Sequence, residues 1–424
     1  MSATPFHLAC VACAATFPGL ELRYRCDCGG VLDVVHAFAD APSLGDLDAR
    51  LASKAPLDRS GVWRFRELIL PVDAQHVATR REGNTGLYDA PSLATYTGLA
   101  ALRLKHEGEN PTGSFKDRGM TTGVTMARAL GMTRVACAST GNTSASMAAY
   151  AAAAGLEAFV FIPEGKIAYG KLSQALAYGA RTVQIEGDFD AAMDLVQQVC
   201  AAAGVYLLNS VNPFRIEGQK AIGFEILQDL DWRVPDWIVL PGGNLGNSTA
   251  LAKGMAELHA LGLIDRLPRV AVVQAAGANP LYTAWRSGAE TVEPVRAHTV
   301  ATAIQIGNPV SWQKCLRGLR QTDGVVTEVD DQAILDAKAM VDAAGIGAEP
   351  ASCATVAGLK RLVGEGVIAP DADVVGILTG HLLKDPDVVV GYHQDGLEGI
   401  TATYANAPVK VRGALDEVLA LLGG

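Results

Sequence analysis

Lys116 is the residue whose setting points most directly to chemistry. It stands in Asn110-Pro111-Thr112-Gly113-Ser114-Phe115-Lys116-Asp117-Arg118, where Asn110, Pro111 and Gly113 are turn formers. Residues 115–130 then read as a helix closed by Gly131. The lysine therefore falls at the mouth of a helix, beside apolar Phe115. A partly desolvated amine sheds charge and becomes a usable nucleophile or general base. Taken alone, Lys116 fits a solvated surface lysine better. Two loops downstream shift that balance, Ser139-Thr140-Gly141-Asn142-Thr143-Ser144-Ala145-Ser146 and Pro241-Gly242-Gly243-Asn244-Leu245-Gly246-Asn247. Each lies between a strand-like and a helix-like run. In the second, glycines let backbone N–H groups converge and the helix N-terminus adds positive potential, which holds a phosphate without lysine or arginine. The plainer readings are a helix cap for the first loop and an ordinary glycine-rich turn for the second. Neither P-loop nor dinucleotide glycine spacing is present.

Two further groups carry possible ligands. Arg215, in Asn209-Ser210-Val211-Asn212-Pro213-Phe214-Arg215, offers a bidentate fork for a phosphate; it equally suits a surface arginine paired with Glu217. Lys166 and Lys171 rank below it, as solvated loop lysines. Near the N-terminus, Cys10-x-x-Cys13 and Cys26-x-Cys28 flank a short strand-like stretch and read as a zinc ribbon with four thiolates. The second pair is shorter than the usual Cys-x-x-Cys, and a metal-free knuckle of reduced thiols is the alternative. Cys137, Cys200, Cys315 and Cys353 are scattered and read as reduced core residues.

The segment Asn110 to Arg118 resembles the lysine motif of threonine synthases, among the fold-type II enzymes that use pyridoxal 5'-phosphate (PLP). The two loops above match in order and distance, and Thr379-Gly380-His381-Leu382-Leu383-Lys384-Asp385 resembles the segment closing the cofactor ring site. The resemblance implies that Lys116 carries the cofactor. It places Asn142 at the ring hydroxyl and Gly243, Asn244, Leu245, Gly246 and Asn247 at the cofactor phosphate. Ser139, Thr140 and Thr143 would hold the substrate carboxylate or phosphate, and Asn209, Ser210 and Arg215 the substrate phosphate. Thr379 would meet the pyridine nitrogen with a neutral hydroxyl, a gentler setting that suits elimination and replacement rather than transamination. Many threonine synthases carry a similar ribbon, so Cys10, Cys13, Cys26 and Cys28 are the expected ligands of a structural zinc. The chain departs from the family's pattern at Leu382, usually glycine, and at Gly86, which follows Thr85 where proline is frequent.

The implied reaction turns O-phospho-L-homoserine and water into L-threonine and phosphate. Related chemistries on the same lysine are a cysteate synthase using O-phosphoserine and a threonine or serine dehydratase, which needs no second phosphate site. A PLP-fold binding protein without turnover is the non-enzymatic alternative.

The supporting frame is legible too. The 424 residues are 49% apolar and 19% charged, enough for two or three cored domains. A net charge of −10 argues against nucleic acid or anionic membrane as partner. The longest apolar stretch, Met147 to Pro163, is broken by Gly155 and Glu157, and no basic head with an apolar run opens the chain, so a cytoplasmic protein is expected. Strand patterns at 135–138, 158–162, 181–185, 206–211, 237–240, 270–274 and 374–378 alternate with helical ones, including 144–154 and 191–202. This predicts α/β architecture with parallel sheet covered on both faces. Together with the resemblance it gives two open, twisted, mostly parallel sheets covered by helices, plus a small N-terminal zinc-ribbon-like unit. The expected division is 1–35 ribbon, 36–80 connecting arm packed through Trp63, Phe65 and Leu68, 81–120 with 205–424 a large cofactor domain, and 121–204 a small mobile substrate domain. A homodimer is expected.

Overall fold

The computed structural model describes residues 5–139, 141–163, 169–186, 195–196, 198–200 and 202–422. Strands β1 (Phe6–Cys10), β2 (Thr16–Pro18) and β3 (Leu32–His36) form a small antiparallel sheet in the order β2-β1-β3. In chain order there follow β4 (Leu87–Asp89), β5 (Arg103–His106), β6 (Arg134–Ala138), β7 (Glu157–Pro163), β8 (Arg181–Ile185) and β9 (Tyr206–Leu207). Then come β10 (Trp237–Pro241), β11 (Arg269–Ala275), β12 (Val325–Val329) and β13 (Val374–Leu378). They build a six-stranded sheet, β12-β11-β10-β13-β5-β4, and a four-stranded sheet, β8-β7-β6-β9. Every pairing in both is parallel except β4 with β5. All five residues of β10 and of β13 are buried, which is why these strands read as unbroken apolar runs.

The two mostly parallel sheets are those expected, with differences in detail. The strand pattern at 206–211 yields only two residues, and β9 pairs with β6, so the smaller sheet reaches Leu207, past the expected change of domain at 205. Strand β5 (Arg-Leu-Lys-His) was not visible as a strand because of its charges. Those charges are paired internally: Lys105 Nζ lies 2.8 Å from Asp229 and 3.1 Å from Glu225. The expected helix 191–202 falls partly outside the described residues.

The arm packs as its apolar residues require. Trp63, Phe65 and Leu68 are all buried, and Trp63 Nε1 donates to Thr121 Oγ1 at 2.7 Å. The N-terminal sheet is fastened to the core both by apolar packing, with Phe6, Leu8, Leu32 and Val34 buried in the main core, and by charge. Asp33 meets Arg317 at 2.5 Å and Lys253 at 3.4 Å, His36 meets Glu217 at 2.7 Å, and Lys253 donates to the carbonyl of Val34. Among the described residues no helix is long and apolar enough to cross a membrane.

Candidate active site

Lys116 opens the helix Lys116–Ala129, and the turn before it is closed by three local bonds. Asp117 accepts from the backbone N–H of Thr112 at 2.7 Å and from its hydroxyl at 2.6 Å. Gly113 donates to Asn110 at 2.7 Å with φ of 81°, a left-handed conformation that favours glycine. The turn is also stitched to the end of β13. Phe115 N–H donates to the Thr379 carbonyl at 3.0 Å, and His381 N–H to the Gly113 carbonyl at 2.9 Å. The lysine and Thr379 are thereby held in one fixed relation. The Ser146 hydroxyl donates to Asp117 at 2.5 Å, drawing in the helix Asn142–Ala154 from the smaller sheet.

These elements wall a cavity of about 300 Å³ between the two sheets. Lys116, Asn142, Thr379 and the run Gly243, Asn244, Leu245, Gly246, Asn247 all line it. So do Ser139, Thr143, Ser210 and Arg215. Thr140 lies outside the described residues, as does Lys166, and the side chain of Lys171 is likewise not described. Asn209 is brought close but spent elsewhere. Its amide accepts from Ala138 N–H at 2.9 Å and donates to the Ala138 carbonyl at 3.1 Å, which ties the end of β6 to the segment after β9 and keeps its side chain out of the cavity lining. Arg215 is not the surface arginine of the alternative reading. It is buried, its Nη1 donates to the Leu208 carbonyl at 3.0 Å, and Glu217 instead pairs with His36, Lys220 and Lys253.

Two helices point uncapped N-termini at the cavity. Neither Gly141, before Asn142–Ala154, nor Leu245, before Gly246–Ala260, makes a side-chain cap bond. Leu245 adopts φ of 63°, which turns the chain sharply into its helix. Free N–H groups at a helix start are an anion site. Three buried polar atoms of lining residues also lack a partner within the protein: Asn247 Nδ2, Arg215 Nε and Gln219 Oε1. Such atoms are expensive to bury unbonded, so the wall is built for a polar occupant.

The electrostatics of the amine match that use. Burial, with Arg215 nearby, pushes the Lys116 amine down to about 7, against the pull of Glu349. Its ammonium also lies 4.0 Å over the Phe115 ring. Burial pushes the Asp117 carboxyl up to about 6, opposed by the bonds from Ser146 and Thr112. Burial likewise lowers Arg215 to about 10, which leaves it a cation at neutral pH.

Glu349 is one of several cavity residues that sequence reasoning missed, with Gln174, Gln219, Lys384 and Asp385. It precedes the helix Pro350–Gly364, which begins with proline in its first turn as expected. Its carboxylate accepts from Asn142 Nδ2 at 2.9 Å and lies 3.5 Å from Thr379 Oγ1, joining two residues from opposite sheets. Burial raises its pKa, with the Asn142 bond opposing. A Cβ at Gly380 would collide with this carboxyl, so the glycine makes its room. The available signal was the residue type: glutamate is a poor N-cap, and a cap that makes no capping bond is free for another use. Leu382, the departure from the family's pattern, begins a short 3-10 turn and packs against Gly347.

In the N-terminal sheet the four expected thiols converge. Cys10 to Cys28, Cys13 to Cys26 and Cys13 to Cys28 are each 3.5 Å apart, and all four sulfurs lie within 4.8 Å of one another. This donor set could hold a tetrahedral zinc ion.

The wall thus supplies what a phosphorylated pyridine aldehyde requires: a neutralised amine, hydroxyl and amide partners, and an anion cradle. Comparison with known proteins agrees. The pyridoxal-phosphate dependent enzyme family matches residues 78–380. Threonine synthase of Methanosarcina acetivorans is 50% identical over 388 residues, spanning 91% of this chain and 94% of that protein. That of Methanocaldococcus jannaschii is 45% identical over 383 residues, 90% of this chain and 93% of that protein. The crystal structure of threonine synthase from Escherichia coli, 17% identical, shares the fold with a TM-score of 0.69 over 97% of this chain and 94% of its own. With a cofactor-family match over most of its length and such identity end to end, the chain belongs to the threonine synthases, within the pyridoxal-phosphate dependent enzymes.

Proposed function

We propose that this protein is a threonine synthase converting O-phospho-L-homoserine and water to L-threonine and phosphate. The observation that carries the reading is the company Lys116 keeps. An amine brought down to about 7 shares one cavity with two uncapped helix N-termini and the buried guanidinium of Arg215. One helix N-terminus suits the cofactor phosphate and the other the substrate carboxylate, which leaves the buried guanidinium of Arg215 for a substrate phosphate, a group that a dehydratase's substrate lacks.

PLP, when bound, supplies the sink for negative charge developing on the substrate's carbon skeleton. Lys116 would hold the cofactor, and its free amine would take the proton from Cα and move protons at Cβ and Cγ. The backbone of Gly243 to Asn247 receives the cofactor phosphate. Asn142, giving up its bond to Glu349, would hold the ring hydroxyl, and Thr379 would hold the ring nitrogen. Ser139, Thr143 and the N–H groups at Asn142 orient the substrate carboxylate. Ser210 and Arg215 orient the phosphate that leaves from Cγ before water adds at Cβ. Asn209 acts one step back, by fixing Ser210 against β6. Closure of the small domain, 121–204, over the large one keeps bulk water out until addition. Cys10, Cys13, Cys26 and Cys28 hold a structural zinc, and the protein works in the cytoplasm as a homodimer.

Incubation with O-phospho-L-homoserine tests the reading, by measuring phosphate and threonine together. One threonine per phosphate is the expected result. Phosphate from O-phosphoserine only in the presence of sulfite would move the protein to the cysteate synthases, and ammonia from threonine to the dehydratases. Borohydride reduction followed by mass spectrometry should place the pyridoxyl group on Lys116.

A further inference from the structure

We infer that Lys384 is a second ligand of the substrate's phosphate, and that it surrenders its contact with Gln174 to take that role. The inference rests on the phosphorylated substrate proposed above. It begins with a count of charge. Among the described residues lining the cavity, the cations are Lys116, Arg215 and Lys384, and the acids are Glu349 and Asp385. Lys116 is committed to the cofactor, whose phosphate has a backbone cradle of its own. Of the described cations, that leaves Arg215 and Lys384 to face a phosphate-monoester dianion in a wall that already carries two carboxyl groups. A second cation there would strengthen the hold on the dianion and offset those carboxyl groups.

Lys384 has the position. It ends the short turn Leu382–Lys384 in the loop that also carries Thr379. Its side chain runs over Gly113 in the Lys116 turn, where a Cβ would stand 3.0 Å from Lys384 Cε and 3.7 Å from Nζ. A side chain at residue 113 would crowd this path. The amine then reaches across to the helix Tyr169–Ala177 of the smaller-sheet side and donates to Gln174 Oε1. Gln174 and its neighbour Ser173 line the same cavity. A neutral amide oxygen is a modest partner for a buried ammonium, and a dianion is a far better one. Burial pushes the Lys384 amine below its usual range while Glu349, Asp117 and Asp385 pull it back. An arriving dianion adds to that pull and keeps the amine charged.

The competing role is a plain latch, in which the bond to Gln174 only ties the two sides of the cavity together. Lys384→Met, Lys384→Arg and Gln174→Ala separate the two. Each PLP-loaded variant is titrated with inorganic phosphate by calorimetry, and KM and kcat are measured with O-phospho-L-homoserine. The visible band of lysine-bound cofactor reports loading. We expect Lys384→Met to weaken phosphate binding and raise KM by about 10-fold to 100-fold, the loss of one charged hydrogen bond, with less effect on kcat. Lys384→Arg should retain most of the affinity, and Gln174→Ala should leave it unchanged or tighter. Wild-type phosphate affinity in Lys384→Met overturns the inference, as does Gln174→Ala reproducing its defects. Were Lys384→Met to fail in folding, Gln174→Ala decides by the same criterion. If the wild type itself leaves O-phospho-L-homoserine untouched, the proposed reaction fails, while the phosphate titrations still decide the role of Lys384.

Discussion

The amine of Lys116 should be reactive at a pH where ordinary lysines are not. Its environment lowers it from the usual 10.5 to about 7, a difference worth about 5 kcal/mol between the two protonation states. At about pH 8 roughly nine-tenths of the Lys116 amines are then neutral, against roughly 0.3% for a solvated lysine, about a 300-fold gain in nucleophile. The direction follows from the cause: burial disfavours the charged form, so the neutral amine appears as pH rises through about 7 rather than through about 10. The assay strips the protein of PLP, adds it back at a series of pH values and follows the visible band of the lysine-bound form. The recombination rate should rise from about pH 6 and level off above about pH 8. Arg215 adds to the depression, so Arg215→Met should move the midpoint upward. A rate that climbs about tenfold per pH unit through about pH 9, or a midpoint indifferent to Arg215, would refute the reasoning.

Other outcomes are equally definite. Arg215→Ala should raise KM for the phosphorylated substrate and leave PLP content unchanged; equal loss of both would make Arg215 structural. Arg118 is fully buried and bonds Glu107 at 2.6 Å and Glu225 at 2.7 Å, so Arg118→Met leaves two carboxylates without their main partner and should cost about 3–5 kcal/mol, seen in urea denaturation. Lys116→Ala should abolish the visible band; unchanged colour would remove Lys116 from its role. Metal analysis should find one zinc per chain, lost on Cys13→Ser; a full equivalent in that variant would refute a four-thiolate site.

What could be read from the sequence was local. The turn around Gly113 and the glycines after β10 mark sharp changes of chain direction, and Thr379 ends an apolar run. Each needs only its neighbours to be recognised. What stayed hidden depends on residues far apart in the chain. The bond from Asn142 to Glu349 spans 207 positions, so nothing near either residue announces it. Asn209 stood in the right motif, but only the fold shows its amide committed to Ala138. Strand β5 was masked because local patterns read Lys105 as solvent-facing, whereas Asp229 and Glu225 meet it inside. The family resemblance supplied the function. The cavity adds why the lysine is reactive and which cations face it.

The way the N-terminal unit is attached has a consequence for anyone who would shorten the chain. Besides burying Phe6, Leu8, Leu32 and Val34 in the core, the unit takes the amines of Lys253 and Lys314 onto the carbonyls of Val34 and Leu32 in its last strand. Deleting that strand would take the Leu32 carbonyl and Asp33 from Lys314, and Val34, Asp33 and His36 from the Lys253–Glu217 pair, whose glutamate is on the helix that also presents Arg215. A truncated version would need Lys314 rewritten, and the apolar face that Phe6, Leu8, Leu32 and Val34 cover, Phe214 included, made polar before the remaining body could stand by itself.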